Sequence, residues 1–230
     1  MSYCFVFQSF TGCLIFLCQL HLHRKNLKNN FMKFLSLTLC FVLFSFGNPK
    51  ESKNEIKPIN LEMERFSSQL ADVKAMIKKN ASYNTKIAFF IDMRIKSGKN
   101  RFFVYDLEKD QILEEGLVAN GAGSETGIRG ELKFSNEPNS KCTSLGRYTI
   151  GKSYKGMFGK TYKLAGLDET NNNAAKRVIV LHSYSAVLNE EQDYYISNSQ
   201  GCPMVSETFF KKLEKIIDSS KSSIILNIYY

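Results

Sequence analysis

The sequence predicts a β-dominated α+β domain with flanking helices, and three observations carry that expectation. From Lys86 onward, short runs of β-branched and aromatic residues alternate with Gly, Asn and Asp punctuation. Apolar residues at helical three-to-four spacing occur in two stretches, one before those runs and one near their end. A chain of 230 residues with 43% hydrophobic and 23% charged residues is long enough for one sizeable domain and a tail.

Taken in order, residues 1–47 form a leader. Met32-Lys33 supplies a charged start, residues 34–46 a thirteen-residue apolar run, and Ser45-Phe46-Gly47 the small residues of a cleavage site. This is the pattern of a bacterial export signal with its true start at Met32, and it predicts a protein of the periplasm or cell envelope. The apolar runs at 10–22 and 34–46 are both shorter than the ~20 residues a spanning helix needs, so membrane contact is expected only through an uncleaved signal. Residues 48–59 turn to Asn, Pro, Lys, Glu and Ser and read as a linker. Over 60–80, Leu61, Phe66, Leu70, Val73 and Ile77 mark one face of an amphipathic helix that ends near Asn80.

Residues 81–230 are then the main domain. Strands are expected at 87–91, 101–107, 111–118, 146–150, 161–164 and 177–181, the first three as a meander with turns at 97–100 and 105–111. Between them, residues 118–146 are rich in Gly, Asn, Ser and Thr and read as a long functional loop; the glycines lack the Lys-Ser/Thr ending of a phosphate loop. Ser206 is positioned to cap a helix with Phe209, Phe210, Leu213, Ile216 and Ile217 on one face, followed by a last strand at 223–229.

The charge balance narrows the partners. Thirty-one basic against 22 acidic residues give +9, but four of the bases lie in the leader, leaving +5 for the remainder. That excess suits an anionic wall polymer and is too dispersed to predict nucleic-acid binding. The cysteines narrow the chemistry. Four of six lie in the leader, and only Cys142 and Cys202 remain, with no Cys-x-x-Cys and a single histidine, His182, outside the leader. No metal site and no cofactor is expected from that set.

His182 and Cys202 are the candidate reactive pair. A run of branched apolar residues, 178–181, delivers His182-Ser183 at a strand's carboxyl end, and Ser199-Gln200-Gly201-Cys202 follows the histidine after sixteen intervening residues. A thiol becomes a nucleophile when a base takes its proton, and one imidazole is available. Gly201 allows a tight turn, and the amides of Gln200, Gly201 and Cys202 can form an oxyanion hole. The positive pole of the Ser206 helix is a further expected influence on the thiol. The competing reading is that Cys202 is half of a disulfide with Cys142. Arg129 and Arg147 are candidates for a substrate carboxylate or for structural ion pairs. Ser199 and Tyr148 are candidate cleft residues for substrate.

The spacing His182, sixteen residues, Ser-Gln-Gly-Cys resembles the signature of the YkuD-type L,D-transpeptidases. The blocks Phe134-Ser135-Asn136-Glu137-Pro138-Asn139-Ser140, Thr143-Ser144-Leu145-Gly146-Arg147-Tyr148, Tyr154-Lys155-Gly156, Leu164-Ala165-Gly166-Leu167 and 171–175 look like the murein L,D-transpeptidase catalytic domain branch with Gly-Cys-Pro. Gln200 stands where the better-known members have histidine, and Pro203 where they have an apolar residue. The resemblance implies a YkuD-like mixed β-sandwich or barrel, acting as a monomer without cofactor on peptidoglycan stem peptides. It implies Cys202 as nucleophile, His182 as base and Ser183 as the group orienting the imidazole, with a thioester resolved by an amine (cross-linking) or by water (L,D-carboxypeptidase). The alternative is a catalytically inactive or disulfide-locked peptidoglycan-binding module of the same fold.

Overall fold

A computed structural model describes residues 58–230; the expected leader and the start of the linker lie outside the described residues. The order is α1 (Pro58–Lys79), β1 (Tyr83–Asp92), β2 (Phe102–Asp106), β3 (Gln111–Gly116), β4 (Val118–Ala119), β5 (Gly146–Gly156), β6 (Gly159–Gly166), β7 (Val180–Ser183), β8 (Met204–Val205), α2 (Glu207–Ser219) and β9 (Ser223–Tyr229). All nine strands belong to one mixed sheet, ordered β3-β2-β1-β9-β5-β6-β7-β8-β4. β1 and β9 pair in parallel, as do β7 and β8, and the other neighbours are antiparallel.

The first three strands form the expected meander, but the run expected over 111–118 is two strands. β3 and β4 stand at opposite edges of the sheet although Leu117 alone separates them. Two Cα steps span less than ~8 Å, so the edges must approach each other and the sheet curls toward closure. Packing across that seam explains the break. A Cβ on Gly116 would lie 2.6 Å from the Phe209 ring, so β3 ends where α2 needs the space.

Alternation along the central strands builds two cores. Phe89 and Ile91 of β1, Phe102 and Val104 of β2, and Ile224, Leu226 and Ile228 of β9 face the interior of the curl, where Phe209, Phe210 and Leu213 of α2 meet them. Ala88, Phe90, Phe103, Tyr105, Ile225 and Tyr229 face the other way, onto Val73 and Ile77 of α1. These strands are therefore apolar on both faces, unlike a strand with one wet side. Phe66 of α1 anchors the outer layer, edge to face with Phe90 at 5.1 Å and with Tyr105 at 5.2 Å. Ser206 caps α2 as its position predicts, its Oγ accepting from Phe209 N at 3.2 Å.

Candidate active site

The imidazole is positioned by the start of β7. The strand expected over 177–181 is Val180–Ser183 instead, because residues 173–179 coil into a turn: Arg177 N donates to Asn173 O, Val178 N to Ala175 O and Ile179 N to Ala174 O. Val178, at φ 55, sits in the left-handed region, which a β-branched residue occupies only where its surroundings hold it. β7 then carries His182, 4% exposed, between β6 and β8.

His182 Nδ1 lies 2.9 Å from Ser183 O. A carbonyl only accepts, so Nδ1 holds the proton and Nε2 keeps its lone pair. The orienting contact is thus made by the Ser183 carbonyl, not its hydroxyl. Phe158, at the tip of the β5–β6 hairpin, stacks on the imidazole at 4.8 Å and 16° between planes, and Tyr184 meets Phe158 edge-on at 5.6 Å. Burial pushes the imidazole pKa down, against the weaker opposing pull of the Ser183 carbonyl, which favours the neutral ring at neutral pH.

The thiol is held by an irregular segment pinned on both sides. Ser199 N donates to Asn120 O and Ala122 N donates to Ser199 O, both at 2.8 Å. Asn120 is fixed by the buried Arg101, whose guanidinium also takes Val118 O and Ile95 O and whose pKa burial pulls down to about 10. On the other side Gly201, at φ 113, presses against the Cys142 carbonyl; a Cβ there would lie 2.8 Å from that oxygen. Only glycine suits both the angle and the space.

Strand pairing sets the backbone of His182 beside the cysteine segment. His182 N donates to Pro203 O at 3.4 Å, and His182 is the register partner of Met204, two residues past the cysteine. Cys202 Sγ lies 3.5 Å from Val180 N and 3.8 Å from Val178 O, and among the described residues no hydrogen bond joins it to the imidazole. Burial raises the thiol pKa, while the Val180 amide and the Arg177 charge oppose it. The resting sulfur is therefore a thiol bonded to the strand, and such contacts commonly realign only when substrate is bound.

Several expectations are corrected by this geometry. Gly201 N donates to Ser199 Oγ at 3.0 Å, so it is not free for an oxyanion. The Gln200 and Cys202 amides donate to no group among the described residues, which leaves two of the expected three. Ser199 is itself buried and serves the turn. β8 intervenes between Cys202 and α2, and the thiol lies outside the first turn, where a helix pole acts. Cys142 and Cys202 are both free thiols, so no disulfide locks the site.

Tyr148 is fully buried with its hydroxyl on Ser144, and Arg147 spends its guanidinium on Asp168, so neither offers a fork or a hydroxyl to substrate. Arg129 lies in an exposed loop between Gly127 and Gly130, both at positive φ. A groove of about 820 Å³ between α1 and the start of β5 contains Arg147, Asp168 and Asn227 but neither His182 nor Cys202. Sequence reasoning passed over Arg177 and Phe158, which only the fold brings to the thiol and the imidazole.

Comparison with known proteins gives a family. Among solved structures, the chain is similar to an L,D-transpeptidase (residues 123–326) from Xylanimonas cellulosilytica, at 13% identity and TM-score 0.34, covering 64% of this chain and 61% of that one. An L,D-transpeptidase from Mycobacterium smegmatis is similar at 11% identity and TM-score 0.36, covering 63% and 59%. The helical cell shape determining protein Pgp2 from Campylobacter jejuni is similar at 13% and 0.39, covering 62% and 47%. The chain thus spans between 47% and 61% of the length of these structures. No curated protein sequence matches it. The sequence match to the L,D-transpeptidase catalytic domain family (YkuD_2) covers residues 57–229, which is most of the chain and all of the sheet, and to that family this protein belongs.

Proposed function

We propose that this protein is a cysteine-dependent L,D-transpeptidase of the cell envelope, acting on peptidoglycan stem peptides through a thioester acyl-enzyme. The observation that carries the reading is His182: Nδ1 is committed to the Ser183 carbonyl, so the unshared pair of Nε2 is available as a base on a strand bonded to the cysteine segment. The family membership supplies the substrate class.

In this reading Nε2 takes the thiol proton, and the sulfur adds to the carbonyl of the third stem residue, an L-centre bonded to a terminal D-residue. The oxyanion is met by the Gln200 and Cys202 amides. As the C–N bond breaks, the imidazolium returns its proton to the leaving amine, and the D-residue departs from a Cys202 thioester. An amine from a second stem, or water, then releases the acyl group and restores the thiol. Export to the envelope, action as a monomer and the roles of Cys202, His182 and Ser183 belong to the same proposal.

The test is intact mass of the purified protein incubated with tetrapeptide muropeptides or with a carbapenem. Wild type is expected to gain the acyl mass and to release the terminal D-residue, and Cys202→Ala to do neither. Continued release by Cys202→Ala removes Cys202 from the role of nucleophile.

A further inference from the structure

Arg177 stands at the cysteine segment with no acid paired to it among the described residues. Arg177 is half-buried, and both of its terminal nitrogens are occupied by neutral oxygens: Nη1 by Ser135 O at 3.0 Å and Ser144 Oγ at 2.9 Å, Nη2 by Cys142 O at 2.5 Å and Ser140 Oγ at 3.5 Å. Among the described residues no carboxylate approaches it within ion-pair distance, whereas Arg147 closes a two-pronged contact on Asp168. A guanidinium has five N–H groups. With four engaged, Arg177 has no open fork for a substrate carboxylate. What it retains is its full positive charge.

That charge touches the thiol's surroundings from two sides. Nη2 lies 3.1 Å from the point a Cβ on Gly201 would occupy, one residue before Cys202. Arg177 also immediately precedes Val178, whose carbonyl receives the thiol at 3.8 Å and whose left-handed backbone is fixed by the same turn. All four acceptors belong to the segment 135–144, so the side chain ties that segment to the entrance of β7 and sets the Cys142 carbonyl against Gly201.

We propose that Arg177 is the positioning residue of the nucleophile, its guanidinium clamping residues 135–144 behind Gly201 and leaving an uncompensated positive charge beside Cys202 that favours the thiolate. This rests on Cys202 being the nucleophile of the reading above. The physical need is specific. Burial disfavours the thiolate, and a neutral imidazole takes a proton without supplying a standing positive charge. A charge without a carboxylate partner is not cancelled locally, and in a half-buried site it is screened less than at the surface.

The test reads the thiol itself, so it remains informative if transpeptidation fails. The rate of iodoacetamide alkylation at Cys202 is followed by peptide mass across pH 5.5–10, for wild type, Arg177→Gln and Arg177→Lys, with thermal unfolding alongside. Arg177→Gln is expected to move the alkylation midpoint to higher pH and to slow the reaction at pH 7 by about tenfold, the factor that accompanies one pKa unit. Arg177→Lys, which keeps the charge and loses the fork, is expected to unfold at lower temperature yet stay within about threefold of wild type at pH 7. An Arg177→Gln profile superimposable on wild type, with only a lowered unfolding temperature, makes Arg177 a structural clamp and overturns the proposal. An Arg177→Lys profile displaced tenfold or more overturns it as well, because loss of the clamp and not of the charge then explains the effect; this second criterion stands alone if Arg177→Gln does not fold. Failure of the transpeptidase reading is recognised separately, by Cys202→Ala retaining D-residue release.

Discussion

Arg147 and Arg177 are two arginines at the start of strand-like runs, in two regions of the molecule that treat charge oppositely. In the groove under α1, Arg147 is matched by Asp168, whose carboxylate also accepts from Arg147 N at 2.6 Å and is held by that arginine below the usual carboxylate range. At the cysteine segment, Arg177 meets four neutral oxygens and, among the described residues, no acid. A paired arginine contributes geometry and a modest stability. An unpaired one contributes a field. The difference shows why the wide groove, rich in matched polar groups, is less informative about chemistry than the narrow, irregular segment around the thiol.

That comparison can be broken or sharpened by substitution. The largest effect is expected from Cys202→Ala, with complete loss of the acyl adduct in intact mass. His182→Ala is next: removal of the proposed general base is expected to slow acylation by ~10²–10⁴-fold at neutral pH, measured as the rate of adduct formation. The Arg177 substitutions follow, at about tenfold.

Phe158→Ala is smaller and is read on the pH axis. The stacked ring helps keep water from the imidazole, and burial is the main cause of its lowered pKa. Exposure should raise that pKa toward the ordinary value of ~6.5, so the acid limb of the acylation profile should move to higher pH, with a few-fold loss near pH 6 and little change at pH 8. An unmoved acid limb would show that Phe158 does not shield the base.

The smallest catalytic effect is expected on the paired side. Asp168→Asn should lower stability by about 1 kcal/mol, a figure discounted because the guanidinium is 36% exposed, and should leave the alkylation midpoint of Cys202 unmoved. The sign of its pH dependence follows from the lowered carboxyl pKa. The contribution is fully present above the unfolded value of ~3.9 and is lost as pH falls through the folded one, so wild type and variant should converge in thermal unfolding at low pH.

Much of the fold was legible because its signals are local. The β-rich runs at 87–91 and 223–229, the Ser206 cap and the two helical faces depend on neighbours within a turn or a strand repeat, and they recur in the structure with small shifts in their ends. The run 111–118 was misleading for a non-local reason: β-propensity continues through Leu117, but the Phe209 ring ends β3 at Gly116 and the chain crosses to the other edge. The early start expected for β7 failed similarly, because the turn that sets Val178 at positive φ is stabilised by backbone bonds that composition does not display.

The site divides along the same line. By itself the sequence determined the reactive inventory: one histidine and two cysteines outside residues 1–47, a glycine before Cys202, and the spacing that resembles a family. These are matters of residue type, and residue type limits which chemistry is available. Only the tertiary structure decided which nitrogen of His182 is free, that the Gly201 amide is spent on Ser199, and that Arg177 draws its partners from residues 33 to 42 positions away. Hydrogen bonds and fields depend on distance in space, and a sequence specifies that distance only after the sheet has curled and brought its loops together.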